Sequence, residues 1–321
     1  MQSVAEVKQE RKNQIGQRKK LKRNDRFWLT IFVSPNLFMY TLFILVPSVA
    51  GVLLSFCEWN ILGPINWVGL DNYKEFLFMG QASKDNFAAL ERTLVFCFFV
   101  TTIQFGLGLF IAVLINQNLK GRNIFRTLYF MPVILGAVIQ GLIWSLFLFP
   151  IGGPMARVLE FFGTRSEFLG GQPSEAFAWV IAIQIWANMG TTMIIFLSGL
   201  QTIPTELYEA VRIDGANSWQ VFQNVTWPLL TPSVNTNLTL NIIGSLQAWQ
   251  LFLVLLGYRN GTQVLGYLIY ATGFGQTSGS VTSSFRQGYA AAASIILFLL
   301  VLVIGMAVQT ILRRREVRIM G

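Results

Sequence analysis

Six stretches of the chain contain no Asp, Glu, Lys or Arg: residues 27–57, 93–119, 127–156, 176–205, 215–258 and 287–312. Each exceeds the roughly 20 residues that cross about 30 Å of hydrocarbon at about 1.5 Å per residue. The pattern predicts six transmembrane helices, at about 28–56, 92–116, 125–149, 177–200, 229–256 and 288–312. Together they make an all-α polytopic membrane domain over 28–312, flanked by polar tails at 1–27 and 313–321. Pro35 and Pro47 in the first helix and Pro132 in the third predict kinks, because proline removes a backbone donor that neighbours must compensate. Residues 58–90, 150–175 and 257–286 read as outer loops, the last with a short interfacial or re-entrant helix near 264–270. Residues 117–123 form a short inward hairpin, and residues 201–228 form a second, longer inward loop.

Composition supports a membrane protein. Hydrophobic residues make up 53% of the 321 residues, charged residues only 12%, and mean hydropathy is +0.53. Charge is too sparse to coat a water-facing surface. The first apolar run is too long for a signal-peptide core and lacks a small-residue cleavage site, so it reads as a retained helix. Cys57 and Cys97 fall at or within predicted helices, where a free thiol is a small apolar filler, and no His is present. Neither a disulfide nor a metal site is expected.

The net charge of +9 is distributed unevenly. If the first helix starts inside the cell, 17 of the 24 basic residues face the cytoplasm: nine before residue 27, then Lys120, Arg122, Arg126, Arg212, Arg313, Arg314, Arg315 and Arg318. The positive-inside rule therefore places both termini in the cytoplasm. Anionic lipid headgroups account for the basic tail, and no nucleic-acid partner is expected.

The loop 201–228 does not read as a lipid-surface segment. From Pro204 to Ile213 the residues suit a short helix, with Glu206 near the positive end of its dipole and Leu207, Ala210 and Val211 on an apolar side. Gly215 ends that helix, and Asn217 or Ser218 caps a second one over about 219–225, with Pro228 blocking its continuation. Helices that lie on lipid favour Lys and Arg on their polar face. This loop carries Glu206, Glu209 and Asp214 against Arg212 alone, which fits a protein partner better than an anionic leaflet.

The stretch Glu209-Ala210-Val211-Arg212-Ile213-Asp214-Gly215-Ala216, closed by Val225 and Pro228, resembles the "EAA" loop of ABC-importer permeases, in particular the carbohydrate-uptake branch. Val211 stands where a second Ala is usual, and Trp227 where Leu is usual. Pro47 with Leu54-Ser55-Phe56 and Trp59-Asn60, the run Val68-Gly69-Leu70-Asp71-Asn72-Tyr73, Arg126 to Pro132, and Leu200 to Pro204 are similar to other segments of that branch in the same order. The resemblance spans about residues 30–312 and implies a type I importer permease fold of six transmembrane helices with cytoplasmic coupling helices. It implies a heterodimer with a second permease, separate ATPase subunits that bind ATP and Mg, and an extracytoplasmic solute-binding protein, in a bacterial or archaeal plasma membrane. The implied coupling residues are Glu206, Glu209, Ala210, Val211, Asp214, Gly215 and Ala216.

Polar side chains within a membrane helix face a cavity or another helix. Asn237, Asn241 and Ser245 form one stripe at spacing four, extended by Gln247, Trp249 and Gln250; Gln184, Asn188 and Thr192 form another. Amides match sugar hydroxyls and Trp stacks on a sugar ring, so these stripes are candidates for a solute pathway and equally for interhelical hydrogen bonding. The chain lacks a phosphate-binding loop and any His base, so no enzyme activity is expected and ATP hydrolysis falls to another chain. The expected function is the permease subunit of an importer for a sugar or oligosaccharide. The alternatives are an anionic or non-sugar solute (glycerol phosphate, a uronate oligomer, a peptide) and a secondary transporter, which usually shows membrane-embedded carboxylates.

Overall fold

The computed structural model describes residues 27–28, 30–61, 63–117, 120–275 and 285–320, with side chains as far as Arg314. The basic tail at 1–26 lies outside these residues. Two compact units divide between Leu54 and Ser55. The first holds helix α1 (Thr30–Leu54), apolar along its whole length and with none of its membrane-length window buried within the chain. A π-helical turn at Thr41–Leu45 precedes Pro47, and Ser48 Oγ donates to the Ile44 carbonyl at 2.6 Å. The wider turn accommodates the ladder position that proline leaves without a donor.

The second unit opens with a small antiparallel hairpin, β1 (Cys57–Glu58) and β2 (Asn66–Trp67), followed by α2 (Asp71–Phe78). Buried Asn72 closes this turn by donating to the carbonyls of Ser55 and Cys57 at 3.0 and 2.9 Å. Glu75 on α2 receives both arms of the Arg286 guanidinium at 2.6 Å, and that guanidinium lies 4.6 Å from the Tyr289 ring centroid. Bonding to Glu75 holds the Arg286 pKa above its ordinary value, so the guanidinium stays charged at any pH the protein meets. Arg286→Met is expected to cost about 1.5–3 kcal/mol, the range for bonds to a charged group, seen as a lower melting temperature of the purified protein. Arg286→Lys should recover only part of it, because an ammonium cannot make the paired contact.

Helix α3 (Gly80–Ile115) begins well before the expected residue 92. Lys84, Asp85 and Glu91 break the charge-free run, but Ser83, Asn86 and Ala89 recur at helical spacing and are buried. Asn86 donates to the Phe76 carbonyl and to Tyr289 Oη, at 3.1 and 2.7 Å. Absence of charge marks a stretch fit for hydrocarbon; it does not mark where a helix ends.

The third helix, expected to kink at Pro132, is a bent pair, α4 (Arg122–Ile134) and α5 (Ala137–Phe147), turned by 103° at Leu135 and Gly136. Both hinge residues have extended backbone, three and four residues beyond the Pro132 that suggested a kink. Buried Gln140 makes the break tolerable by donating its amide to the carbonyls of Pro132 and Leu135, at 2.8 and 3.0 Å. Helices α6 (Pro154–Phe161) and α7 (Pro173–Gln201) follow.

Two short helices, α8 (Thr205–Ile213) and α9 (Ser218–Val221), lead into a π-turn at Phe222–Thr226 and a single helical turn, α10 (Trp227–Leu229). Pro228 does not stop the chain as expected. The Trp227 N–H bonds five residues back, to Phe222, and this wider turn carries the backbone through the proline.

The fifth run is also broken, into α11 (Thr231–Leu246) and α12 (Gln250–Leu255), with irregular backbone from Gln247 to Trp249. Helix α13 (Leu265–Phe274) falls in the stretch expected as the last outer loop, where a short helix was expected, and α14 (Gln287–Met320) continues as helix through most of the expected tail 313–321. Among the described residues four helices are long and apolar enough to cross a membrane, or five if α4 and α5 form one bent span.

Helices α3 and α7 lie side by side and pack tightly at Gly108, where a Cβ would fall 2.5 Å from Thr192 Cγ2. Around them sit two apolar cores. One gathers Phe96, Val100, Val180, Ile183, Phe252 and Tyr267; the other Ile111, Met193, Phe196, Leu200, Val225 and Leu230.

Candidate functional site

The segment from α8 to α9 forms a corner whose shape is set by its own residues. Glu206 in the first turn and Arg212 in the last complement the dipole of α8. The helix ends in paired bonds, Gly215 N–H to the Arg212 carbonyl at 3.0 Å and Ala216 N–H to the Val211 carbonyl at 3.2 Å. This Schellman closure puts Gly215 at φ 82°, a conformation that a side chain makes costly. One residue beyond Ala216, Asn217 starts α9 with a capping box: its side chain accepts from Gln220 N–H at 2.9 Å and its own N–H reaches Gln220 Oε1 at 2.8 Å.

Val221 and Val225 turn inward, and Tyr208 Oη lies 3.3 Å from Thr226 Oγ1. Glu206, Glu209, Ala210, Asp214 and Gly215 are exposed, whereas Val211 and Ala216 are half-buried. Two further residues stand out on this corner. Ile213 is 86% exposed and Trp219 is 68% exposed, large apolar groups on either side of Gly215. Sequence reasoning singled out neither Ile213 nor Trp219 as an exposed apolar group. For Trp219 the signal was present: it does not lie on the inward stripe formed by Val221 and Val225.

The polar stripes separate into two places. Gln104 on α3 donates to Thr192 Oγ1 of α7 at 2.9 Å and to Asn241 Oδ1 of α11 at 3.0 Å. Thr192 Oγ1 also lies 3.3 Å from Asn241 Oδ1, and Asn237 donates to the Thr192 carbonyl at 3.3 Å. Asn237 is only 1% exposed, and Ser245 is buried as well. Asn237, Asn241 and Thr192 thus join in an interhelical lock whose hub, Gln104, the sequence reading missed. An amide in the middle of the charge-free run 93–119 was its signal. Asn188 bonds within its own helix to the Gln184 carbonyl at 3.1 Å, and both are half-buried. Gln247 and Trp249 lie elsewhere, at the break between α11 and α12, beside a cavity of about 360 Å³ that Tyr270 and Gln287 also line. Among the described residues no His, Cys, Asp and Glu group has the arrangement of a metal site.

Residues 104–318, which include the lock, the corner and the cavity, match the family described as the binding-protein-dependent transport system inner membrane component. The chain belongs to that family. Relatives agree along nearly the whole length. A probable ABC transporter permease of Bacillus subtilis is 31% identical over 87% of this chain and 88% of its own. A multiple sugar-binding transport system permease of Streptococcus mutans is 31% identical over 86% of this chain and 92% of its own. A probable starch degradation products transport system permease of Thermoanaerobacterium thermosulfurigenes is 28% identical over 90% and 95%. Among solved structures, a chain of a bacterial ABC transporter involved in import of the acidic polysaccharide alginate superposes with TM-score 0.77 at 25% identity, covering 92% of this chain and 98% of that one.

The chain is therefore a non-catalytic, multi-pass permease subunit of an ABC importer in a bacterial or archaeal inner membrane. A second membrane subunit, a solute-binding protein and an ATPase subunit complete such a system, and the ATPase subunit binds the ATP and Mg.

Proposed function

We propose that this chain forms half of the translocation pathway of an oligosaccharide importer and docks its ATPase through the corner between α8 and α9. The single observation that carries the docking role is the exposed pair Ile213 and Trp219, held about a Gly215 fixed at φ 82° and surrounded by Glu206, Glu209 and Asp214. Apolar anchors on a preformed knob with a charged rim match the anatomy of a protein contact. In this reading the third and fifth charge-free runs cross as broken helices, which brings the count to six spans, with both termini in the cytoplasm. Closure of the ATPase dimer moves the corner, and the attached α7 and α11 reset the Gln104–Thr192–Asn241 lock as the pathway changes the side to which it opens.

The named functions of relatives support a carbohydrate solute, since the proteins similar to this chain include permeases for starch degradation products and multiple sugars. A uronate oligomer is the second reading, favoured by the likeness to the alginate importer chain. Such a solute calls for Arg or Lys along the pathway. Gln184, Asn188, Asn237, Asn241, Ser245, Gln247 and Trp249 bring none, so that charge would come from the second permease.

The docking role is tested by replacing both Ile213 and Trp219 with Ala in the complete importer. Truncation of buried anchors at an interface costs about 2 kcal/mol or more. The ATPase subunit retained on the tagged permease is therefore expected to fall at least about tenfold while the two permeases remain associated. Full retention of the ATPase would show that the corner is not the contact.

A further inference from the structure

Irregular backbone at membrane depth is tolerated where it is covered by protein or lines a cavity. The break from Gln247 to Trp249 lies within the charge-free run 215–258, and the cavity of about 360 Å³ opens beside it, between α13 and α14. Along one wall Trp249, Tyr270 and Phe274 form a ladder of rings. Trp249 and Tyr270 stack at 4.6 Å between centroids and 19° between planes, and Tyr270 and Phe274 stand at 5.0 Å and 32°. Phe274, at the end of the ladder, is 60% exposed.

On another wall Gln287 donates Nε2 to the Gly273 carbonyl at 2.6 Å, which fixes its amide plane; no bond occupies its Oε1 among the described residues. Gln247 is exposed and adds a second amide, and among the described residues no Asp, Glu, Lys or Arg lines the space. The volume falls within the range of about 300–1,000 Å³ typical of small-molecule sites.

We propose that this cavity is a subsite for a neutral sugar unit, seated against the Trp249–Tyr270–Phe274 ladder and hydrogen-bonded by Gln247 and Gln287. The proposal rests on the oligosaccharide reading and narrows it. The C–H face of a sugar ring suits the negative face of an aromatic ring, and hydroxyls need both donors and acceptors, which amides supply. A carboxylate entering here would lose its water without meeting a cation, so the site discriminates against acidic units.

The test uses the complete importer with its binding protein in proteoliposomes, supplied with malto-, xylo- and arabino-oligosaccharides together with mannuronate oligomers; lumenal sugars are read by mass spectrometry. Phe274→Ala and Gln247→Leu alter exposed side chains and should leave the fold intact. Each is expected to lower uptake of neutral sugars about fivefold at subsaturating concentration, the size of a lost stacking or hydrogen-bond contact, through a raised KM. Tyr270→Ala should lower uptake further, and Tyr270→Phe should retain most of it. Neutral uptake with unchanged KM in all four variants would overturn the subsite and leave the oligosaccharide reading standing. Entry of mannuronate oligomers alone would overturn its neutral preference. If no saccharide entered the parent vesicles, the oligosaccharide reading would fail, and the subsite with it.

Discussion

Gly190→Leu is expected to leave almost no monodisperse protein after extraction from the membrane. A Cβ at this position would lie 2.4 Å from the Tyr129 carbonyl oxygen and 2.8 Å from the Phe130 Cα, both backbone atoms of α4. A crowded side chain can often rotate away, but here α7 and α4 themselves must separate. Overpacking a core costs about 1–3 kcal/mol when side chains can adjust, so this substitution belongs at or above the top of that range. Gly190→Ala should already lower the melting temperature. Gly106→Leu is the control, because Gly106 is exposed on α3 and a Cβ there would meet nothing within 4 Å. Fluorescence-detected size-exclusion chromatography of the three variants checks the expectation. A parent-like peak for Gly190→Leu would mean that α4 and α7 do not approach as closely as they do here.

The second large effect is expected at Gly215. Proline there would force φ from 82° toward about −65° and remove the N–H that bonds to the Arg212 carbonyl at 3.0 Å. The Schellman closure opens, and α9 leaves at a different angle. In the assembled importer, ATPase activity stimulated by the loaded binding protein should drop about tenfold or more, equivalent to about 1.4 kcal/mol of lost coupling. Basal hydrolysis by the ATPase subunits should persist, because the residues that perform it lie in another chain. Unchanged stimulation in an intact complex would rule out the corner as the transmitting element.

Much of this arrangement was legible in the sequence because local chemistry determines it. Pro204, Glu206, Gly215 and Asn217 specify a start, a dipole partner, a left-handed end and a cap, and each acts within a few residues of itself. The broken runs were not legible in the same way. Hydropathy records whether a segment suits hydrocarbon, but the bend at Leu135 and Gly136 depends on Gln140 reaching back to two carbonyls. The split of the polar stripe had the same origin. Asn241 and Gln247 carry equivalent amides, and only the arrival of Gln104 from α3 assigns one to an interhelical bond while the other stays beside a cavity. Contacts between residues far apart in the chain leave no periodic trace. The early start of α3 was missed for a simpler reason, since a helix that outruns the hydrocarbon can carry Lys84, Asp85 and Glu91 in its first turns without ending.

The paired closures on either side of Gly215 and Ala216 use no atom outside residues 211–220. The knob consequently has its final form before any neighbour arrives, and little conformational freedom is left to be lost on contact. If the corner docks the ATPase as proposed, free energy released on that contact is available as mechanical work on α7 and α11, because almost none is consumed in organising the handle itself.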